Sequence, residues 1–205
     1  MKVGIIGTGD VGRALAAGLS KARHEVAMGS RIPSNVEPTP PIHVVTRKEA
    51  ATWADVVVLA VPFHAVQDTL KAIGPNALNG KVVVDATNAI GASGLAVGHT
   101  TSGAEDLQKL VPGARVVKAF NTAFAETMST GRAGGEAIAL PVAGGDAAAK
   151  ETVMRLAADV GFDPVDAGPL RNARYLEPLA LLLMYFAHGT PKMGRDLGLK
   201  LLRGP

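Results

Sequence analysis

Near the N-terminus stand Gly7-Thr8-Gly9-Asp10-Val11-Gly12, a G-x-G-x-x-G with Thr8, Asp10 and Val11 at the variable positions. An apolar run from Lys2 to Ile6 precedes it, and an amphipathic run from Val11 to Ala22 follows. Strand, glycines and helix in that order are the setting in which this spacing binds a dinucleotide. Gly7 permits a tight turn, Gly9 lets the backbone approach a pyrophosphate, and Gly12 lets the helix lie close to the strand. The phosphates then meet the unpaired N–H groups at the positive end of the helix. Thr8, Asp10 and Val11 share that loop and are expected to line the cofactor.

The end of the next strand, His24 to Met28, indicates which dinucleotide. An NAD site usually carries an acid there, which hydrogen-bonds the ribose and repels a 2′-phosphate. Here the residues are Gly29-Ser30-Arg31. Ser30 can donate to a phosphate oxygen, and Arg31 offers a planar, permanently charged fork. NADP is therefore favoured over NAD.

In an open α/β sheet, ligands bind outside the carboxyl ends of the strands. The groups expected there are Val61-Pro62-Phe63-His64, Asp85-Ala86-Thr87-Asn88 and Phe120-Asn121-Thr122-Ala123-Phe124. Val61, Pro62, His64, Asn88 and Asn121 are thus placed around the nicotinamide and its ribose. His64 and Asn121 are the candidate catalytic residues. His64 is the titratable candidate because an unperturbed imidazole changes charge near neutrality, although capping a helix or touching phosphate would explain it equally. Asn121 could bond the carboxamide or the acceptor ring, or cap a helix. No strong proton donor stands out. Carbonyl reduction needs one for the alkoxide, whereas a flavin-like ring delocalises the charge it receives, so the protein mainly has to bring two rings together. A second redox cofactor is the favoured substrate.

These residues need strands and helices to hold them. Strands are expected at Lys2–Ile6, His24–Met28, Ile42–Val45, Ala54–Val61, Lys81–Asp85 and Ala114–Ala119. Helices are expected at Val11–Ala22, Arg47–Trp53, Phe63–Ile73 and Gly103–Leu110, with Ile32–Pro41 and Ala86–Gly98 as loops. Strand–helix alternation predicts a Rossmann-type, doubly wound α/β fold with a mostly parallel sheet. Beyond it, Ala137–Ala143 and Phe162–Val165 extend the sheet, flanking a helix from Asp146, its N-cap, to Val160. Leu170–Ala187 and Pro191–Leu202 read as two terminal helices. The expected division is a cofactor-binding core over 1–119 and, over 120–205, a sheet extension with helices that supply substrate pocket and dimer contact. The run Leu179 to Phe186 is too continuous for a helix with one wet face and suits such a contact.

Composition excludes several classes. With 47% hydrophobic and 19% charged residues the chain builds a core and is not disordered. No cysteine is present, so thiolate chemistry and Cys-ligated metals are ruled out, and no metal site is expected; a reducing cytoplasm suits such a chain. No secretory leader is evident. The longest apolar run, Leu179 to Ala187, is well short of the ~18–20 residues that span a bilayer, so no membrane partner is expected. A net charge of +3, interleaved with acids, makes no case for nucleic acid.

Taken together, Gly7-Thr8-Gly9 with Gly12, Gly29-Ser30-Arg31, Val61-Pro62-Phe63-His64-Ala65 and the stretch from Asp166 through Arg171-Asn172-Ala173-Arg174-Tyr175-Leu176 to Glu177 carry a resemblance over nearly the whole chain. The chain resembles the F420-dependent NADP oxidoreductases, which pass hydride between NADP and the deazaflavin coenzyme F420. The resemblance implies NADP at the glycine loop, its 2′-phosphate held at Ser30 and Arg31, a second ring against the nicotinamide, and a homodimer. Asp85-Ala86-Thr87-Asn88, Leu110 to Ala114 and Lys118 to Thr122 depart from the archaeal enzymes. They look more like the cytosolic oxidoreductase domain of the six-transmembrane metalloreductases, which passes electrons from NADPH to a flavin. The acceptor is thus open between F420 and FMN or FAD. Six basic residues from Arg171 onward (Arg171, Arg174, Lys192, Arg195, Lys200 and Arg203), against Glu177 and Asp196, would suit the anionic tail of either. The competing readings are a small imine or hydroxyacid reductase with His64 as acid, and a non-catalytic NADP-binding regulator.

Overall fold

The computed structural model describes every residue except 38, 92, 93, 191, 203 and 205, with residue 75 described by its backbone alone. In chain order, β1 (Lys2–Ile6), α1 (Asp10–Lys21), β2 (Glu25–Ser30), β3 (His43–Thr46), α2 (Arg47–Trp53), β4 (Val56–Leu59), α3 (Val66–Ile73) and β5 (Val82–Asp85) form the first part. A small hairpin, β6 (Ile90–Gly91) and β7 (Gly94–Leu95), then leads to α4 (Gly103–Leu110), β8 (Arg115–Lys118) and a single turn, α5 (Ala125–Met128). A second hairpin, β9 (Arg132–Ala133) and β10 (Glu136–Ala137), precedes β11 (Ala139–Gly144), α6 (Ala147–Val160), β12 (Asp163–Asp166) and α7 (Ala173–His188).

Eight strands make one sheet in the order β12-β11-β8-β5-β4-β1-β2-β3. Every neighbouring pair is parallel except β11 with β8. From β1 the chain winds outward through β2 and β3, then returns to β4 on the other side. That reversal opens a crevice at the carboxyl ends of β1 and β4. Strand periodicity divides the core between two faces. Ile5, Val58, Val84 and Val117 meet Leu15 and Leu156 on one face, and Ile6, Val57, Leu59 and Val83 meet Leu70 and Leu107 on the other.

Local chemistry sets the helix starts. Thr46 accepts from the Glu49 N–H while Glu49 takes the Thr46 N–H, a capping box for α2. Ser102 accepts from the Glu105 N–H at 3.2 Å, and Asp146 from the Ala149 N–H at 2.7 Å, as that N-cap expectation required.

The Rossmann-type expectation holds, with four differences. The long strand expected from Ala54 is paired only over Val56–Leu59, and the helix expected from Phe63 starts as a 3-10 turn over Phe63–Ala65. The loop expected over 86–98 contains the β6–β7 hairpin. The second terminal helix expected over 191–202 does not form among the described residues. That segment runs as an irregular strap instead. The Met193 N–H reaches the Phe186 carbonyl at 3.0 Å, and Leu199 accepts the Ala139 N–H at 2.8 Å. Gly194 has φ +83°, outside any helix, and a Cβ on Gly198 would strike Ile138 at 2.5 Å. The strap therefore bonds β11 through the Leu199 carbonyl and forms no helical stripe.

Candidate functional site

Two clefts flank the loop between β1 and α1. The outer one, of about 570 Å³, is floored by Gly7, Thr8 and Gly9 and walled by Ser30, Arg31, Val61 and Pro62. Gly7 and Gly12 have steric reasons. Gly7 has φ +131°, and a Cβ there would lie 2.0 Å from the Ala60 carbonyl oxygen. A Cβ on Gly12 would lie 2.3 Å from the Gly7 carbonyl oxygen, so α1 could not pack so close to the turn. At Gly9 nothing stands within 4 Å, which leaves the backbone bare toward the cleft. The first N–H groups of α1 have no partner within the helix. Those donors and the helix dipole suit an anion. Asp10 lies just outside, in a neighbouring groove with Arg13, while Val11 lines the inner cleft.

The outer cleft also contains a residue the sequence reading missed. Pairing of β2 with β3 sets Ser30 beside Thr46, so the residues that follow, Arg31 and Arg47, emerge side by side. Both line the cleft. Arg47 is half-buried, and no described partner reaches its Nε. Burial and then the positive charge of Arg31 hold its pKa below the usual arginine range. Two adjacent guanidiniums repel each other, and an anion between them relieves that repulsion. Ser30, itself buried, accepts the Ile32 N–H at 3.2 Å and so fixes the turn.

The inner cleft, of about 160 Å³, is lined by Val11, Asn88, Asn121 and Thr122, with Phe124, Leu183 and Met184 as apolar walls. Phe120 leaves β8 with φ +67° although it is bulky and 2% exposed. Such backbone costs energy and persists only where packing enforces it. Its ring meets Phe162 edge-on at 5.8 Å, and the turn delivers Asn121 to the cleft. Asn121 Nδ2 donates to the Leu176 carbonyl at 2.9 Å, so Asn121 caps no helix. Its Oδ1 and the Thr122 Oγ1 are buried without a partner among the described residues. Buried polar atoms left open in this way suit a ligand that brings a donor and an acceptor, as a carboxamide does.

His64 is exposed in the 3-10 turn, makes no capping hydrogen bond, and lines neither cleft. The histidine at the inner cleft is His188, its ring 6.4 Å from that of Phe124. Three of the basic residues of the C-terminal stretch are paired with acids: Arg174 with Glu105, Arg195 with Glu126 and Lys200 with Glu136. Arg203 lies outside the described residues. No helix among the described residues is long and apolar enough to cross a membrane.

A family model described as NADP oxidoreductase, coenzyme F420-dependent, matches residues 2–89. The F420-dependent NADP reductase of Methanothermobacter marburgensis is 31% identical over 208 residues, covering 90% of this chain and 91% of its own length. Metalloreductase STEAP3 of Rattus norvegicus is 35% identical over 184 residues, covering 89% of this chain, which spans only 37% of that relative. A solved structure from Arthrobacter sp. FB24, provisionally described as an F420-dependent NADP-reductase, superposes with a TM-score of 0.89. It is 32% identical, over 99% of this chain and 100% of the other.

Proposed function

The chain belongs to the F420-dependent NADP reductase family, a family of NADP-dependent oxidoreductases, and from that membership and the two clefts we propose that it transfers hydride between NADP and a planar ring, F420 or a flavin. The observation that carries the reading is the pair Arg31 and Arg47, adjacent, with no acid among the described residues that line their cleft, at the position where a 2′-phosphate would lie. The glycine loop and α1 N-terminus hold the pyrophosphate, and Val61 and Pro62 cover the adenosine side. Asn121 and Thr122 orient the carboxamide through their open oxygens. The cofactor supplies hydride at its nicotinamide ring. Phe124, Leu183 and Met184 exclude water beside that ring and leave space for an apolar, planar acceptor. Residues 1–119 thus supply most of the NADP contacts, and 120–205 supply Asn121 and Thr122, the acceptor wall and, through the outer face of α7, a homodimer contact. Because no general acid is required of such a pair, the exposed position of His64 is no obstacle. A cytoplasmic setting, where NADPH is abundant and cysteine-free chains are unremarkable, completes the reading.

NADPH oxidation by the purified protein across F420, FMN, FAD and a ferric chelate, with NADH as control, tests it. Turnover with a ring acceptor and a strong preference for NADPH is expected. Equal use of NADH, or turnover with imines or keto acids alone, overturns it.

A further inference from the structure

Behind the inner cleft lies a closed ionic cluster that none of the roles above uses. Lys118, Asp85 and Glu177 have side chains 0%, 2% and 1% exposed. Lys118 Nζ lies 3.0 Å from Asp85 Oδ2 and 3.1 Å from Glu177 Oε1, and donates to the Thr87 carbonyl at 2.6 Å. Three acceptors match the three N–H groups of an ammonium. Asp85 Oδ1 also accepts the N–H and hydroxyl of Thr87 at 3.0 and 2.7 Å. Glu177 accepts the N–H groups of Gly103 and Ala104 at 2.9 and 3.2 Å. Among the described residues, every partner of Glu177 is a donor, and Asp85 meets an ammonium and a backbone N–H besides the Thr87 hydroxyl, an arrangement that favours the ionised carboxylate at both positions. The cluster thus sets two carboxylates against one ammonium.

We infer that this buried excess of negative charge biases the cofactor site toward NADP+ over NADPH. The inference rests on the proposed assignment of the inner cleft to the nicotinamide. Thr87, held by Asp85 and Lys118, adjoins Asn88, and Leu176, next to Glu177, accepts the Asn121 amide; both asparagines line the cleft. When NADPH passes a hydride to a ring acceptor, which also takes a proton from solvent, its neutral ring becomes a cation. A nearby anionic cluster shut away from water stabilises that cation, because burial leaves little solvent to screen it. Three other charges bear on the cleft. The α4 N-terminus, with about half a positive charge, offsets part of Glu177. Arg195 lines the cleft but stands 3.1 Å from Glu126, and the two cancel. The negative excess survives.

The test compares dissociation constants for NADP+ and NADPH by calorimetry in the unmodified protein, Glu177→Gln and Asp85→Asn. The unmodified protein is expected to bind NADP+ at least as tightly as NADPH. Each folded variant is expected to weaken NADP+ relative to NADPH by about tenfold, or about 1.4 kcal/mol. A tenfold preference of the unmodified protein for NADPH, or an unchanged ratio in a folded variant, overturns the inference. If neither variant folds, the ratio for the unmodified protein decides. Failure of both nucleotides to bind the unmodified protein refutes the cofactor assignment itself, which is a different result.

Discussion

Arg47 shows what a single side chain adds to a motif. An exposed arginine such as Arg31 gains little from a charge in water, whereas a half-buried one with an open Nε has desolvation to recover. Arg47→Ala is therefore expected to weaken NADPH by about ten- to thirtyfold, or about 1.4–2 kcal/mol. NADH, which lacks the 2′-phosphate, should change less than about twofold. Fluorescence titration of both nucleotides measures this; equal losses for the two would mean that Arg47 only supports the fold. The glycines and Arg31 were legible because their chemistry is encoded by adjacent residues. Arg47 was not, since its place depends on the register that sets Ser30 against Thr46 across two strands. Asn121 could be proposed from its place after a strand, yet its burial and its bond to Leu176 depend on a turn with positive φ that a phenylalanine gives no reason to expect.

At the level of elements, the decisive junction is α4 with α7. Arg174 donates to Glu105 from Nε at 2.8 Å and from a terminal nitrogen at 2.7 Å, and Glu177 receives the first N–H groups of α4. The Arg174–Glu177 stretch carried the resemblance in sequence, but its partners lie 69 and more residues away, so its purpose was hidden. The strap after α7 differs from the expected helix for a related reason: the bond of its Leu199 carbonyl to Ala139 of β11 joins residues far apart in sequence. The Arg174 hydrogen bond, opposed next by burial and then aided by the Ser102 hydroxyl, holds the Glu105 carboxyl below the usual range. A depressed carboxyl pKa stabilises the fold above the unfolded value, and that stability is lost as pH falls through the folded value. Glu105→Gln should therefore lower Tm by a few degrees near neutrality, and the two melting curves should converge as pH falls through the carboxyl's depressed folded value. Scanning calorimetry across that range checks it; a constant gap down to the acid end would assign the loss to packing.

For the whole molecule, the question is what covers α7. Its inner face packs on the body and lines the inner cleft through Leu183 and Met184. Its outer face carries Tyr175, Leu179, Leu182 and Phe186 at helical spacing, with Tyr175 71% and Leu182 48% exposed. Scattered exposed apolar residues are ordinary, but an apolar stripe from Tyr175 to Phe186 along one helix face is a patch that water disfavours. A second copy of the chain is the occupant that suits it. In the proposed dimer a two-fold axis across the stripe would pair each α7 with its equivalent, so that one helix would serve both the proposed acceptor cleft and the proposed contact. Leu182 stands mid-stripe and exposed, so Leu182→Glu leaves the single chain's core untouched while setting two carboxylates against each other at the axis. Sedimentation equilibrium at micromolar concentration should give the mass of two chains for the unmodified protein and of one for the variant. NADPH should still bind the variant, because Arg31, Arg47 and the glycine loop lie on the opposite arm of the sheet from the dimer contact. Acceptor turnover should fall, since the wall of the inner cleft loses the support of the neighbouring helix. An unmodified chain that sediments as a monomer, or a variant that stays dimeric, would remove the contact from α7 and leave the acceptor cleft to be completed within one chain.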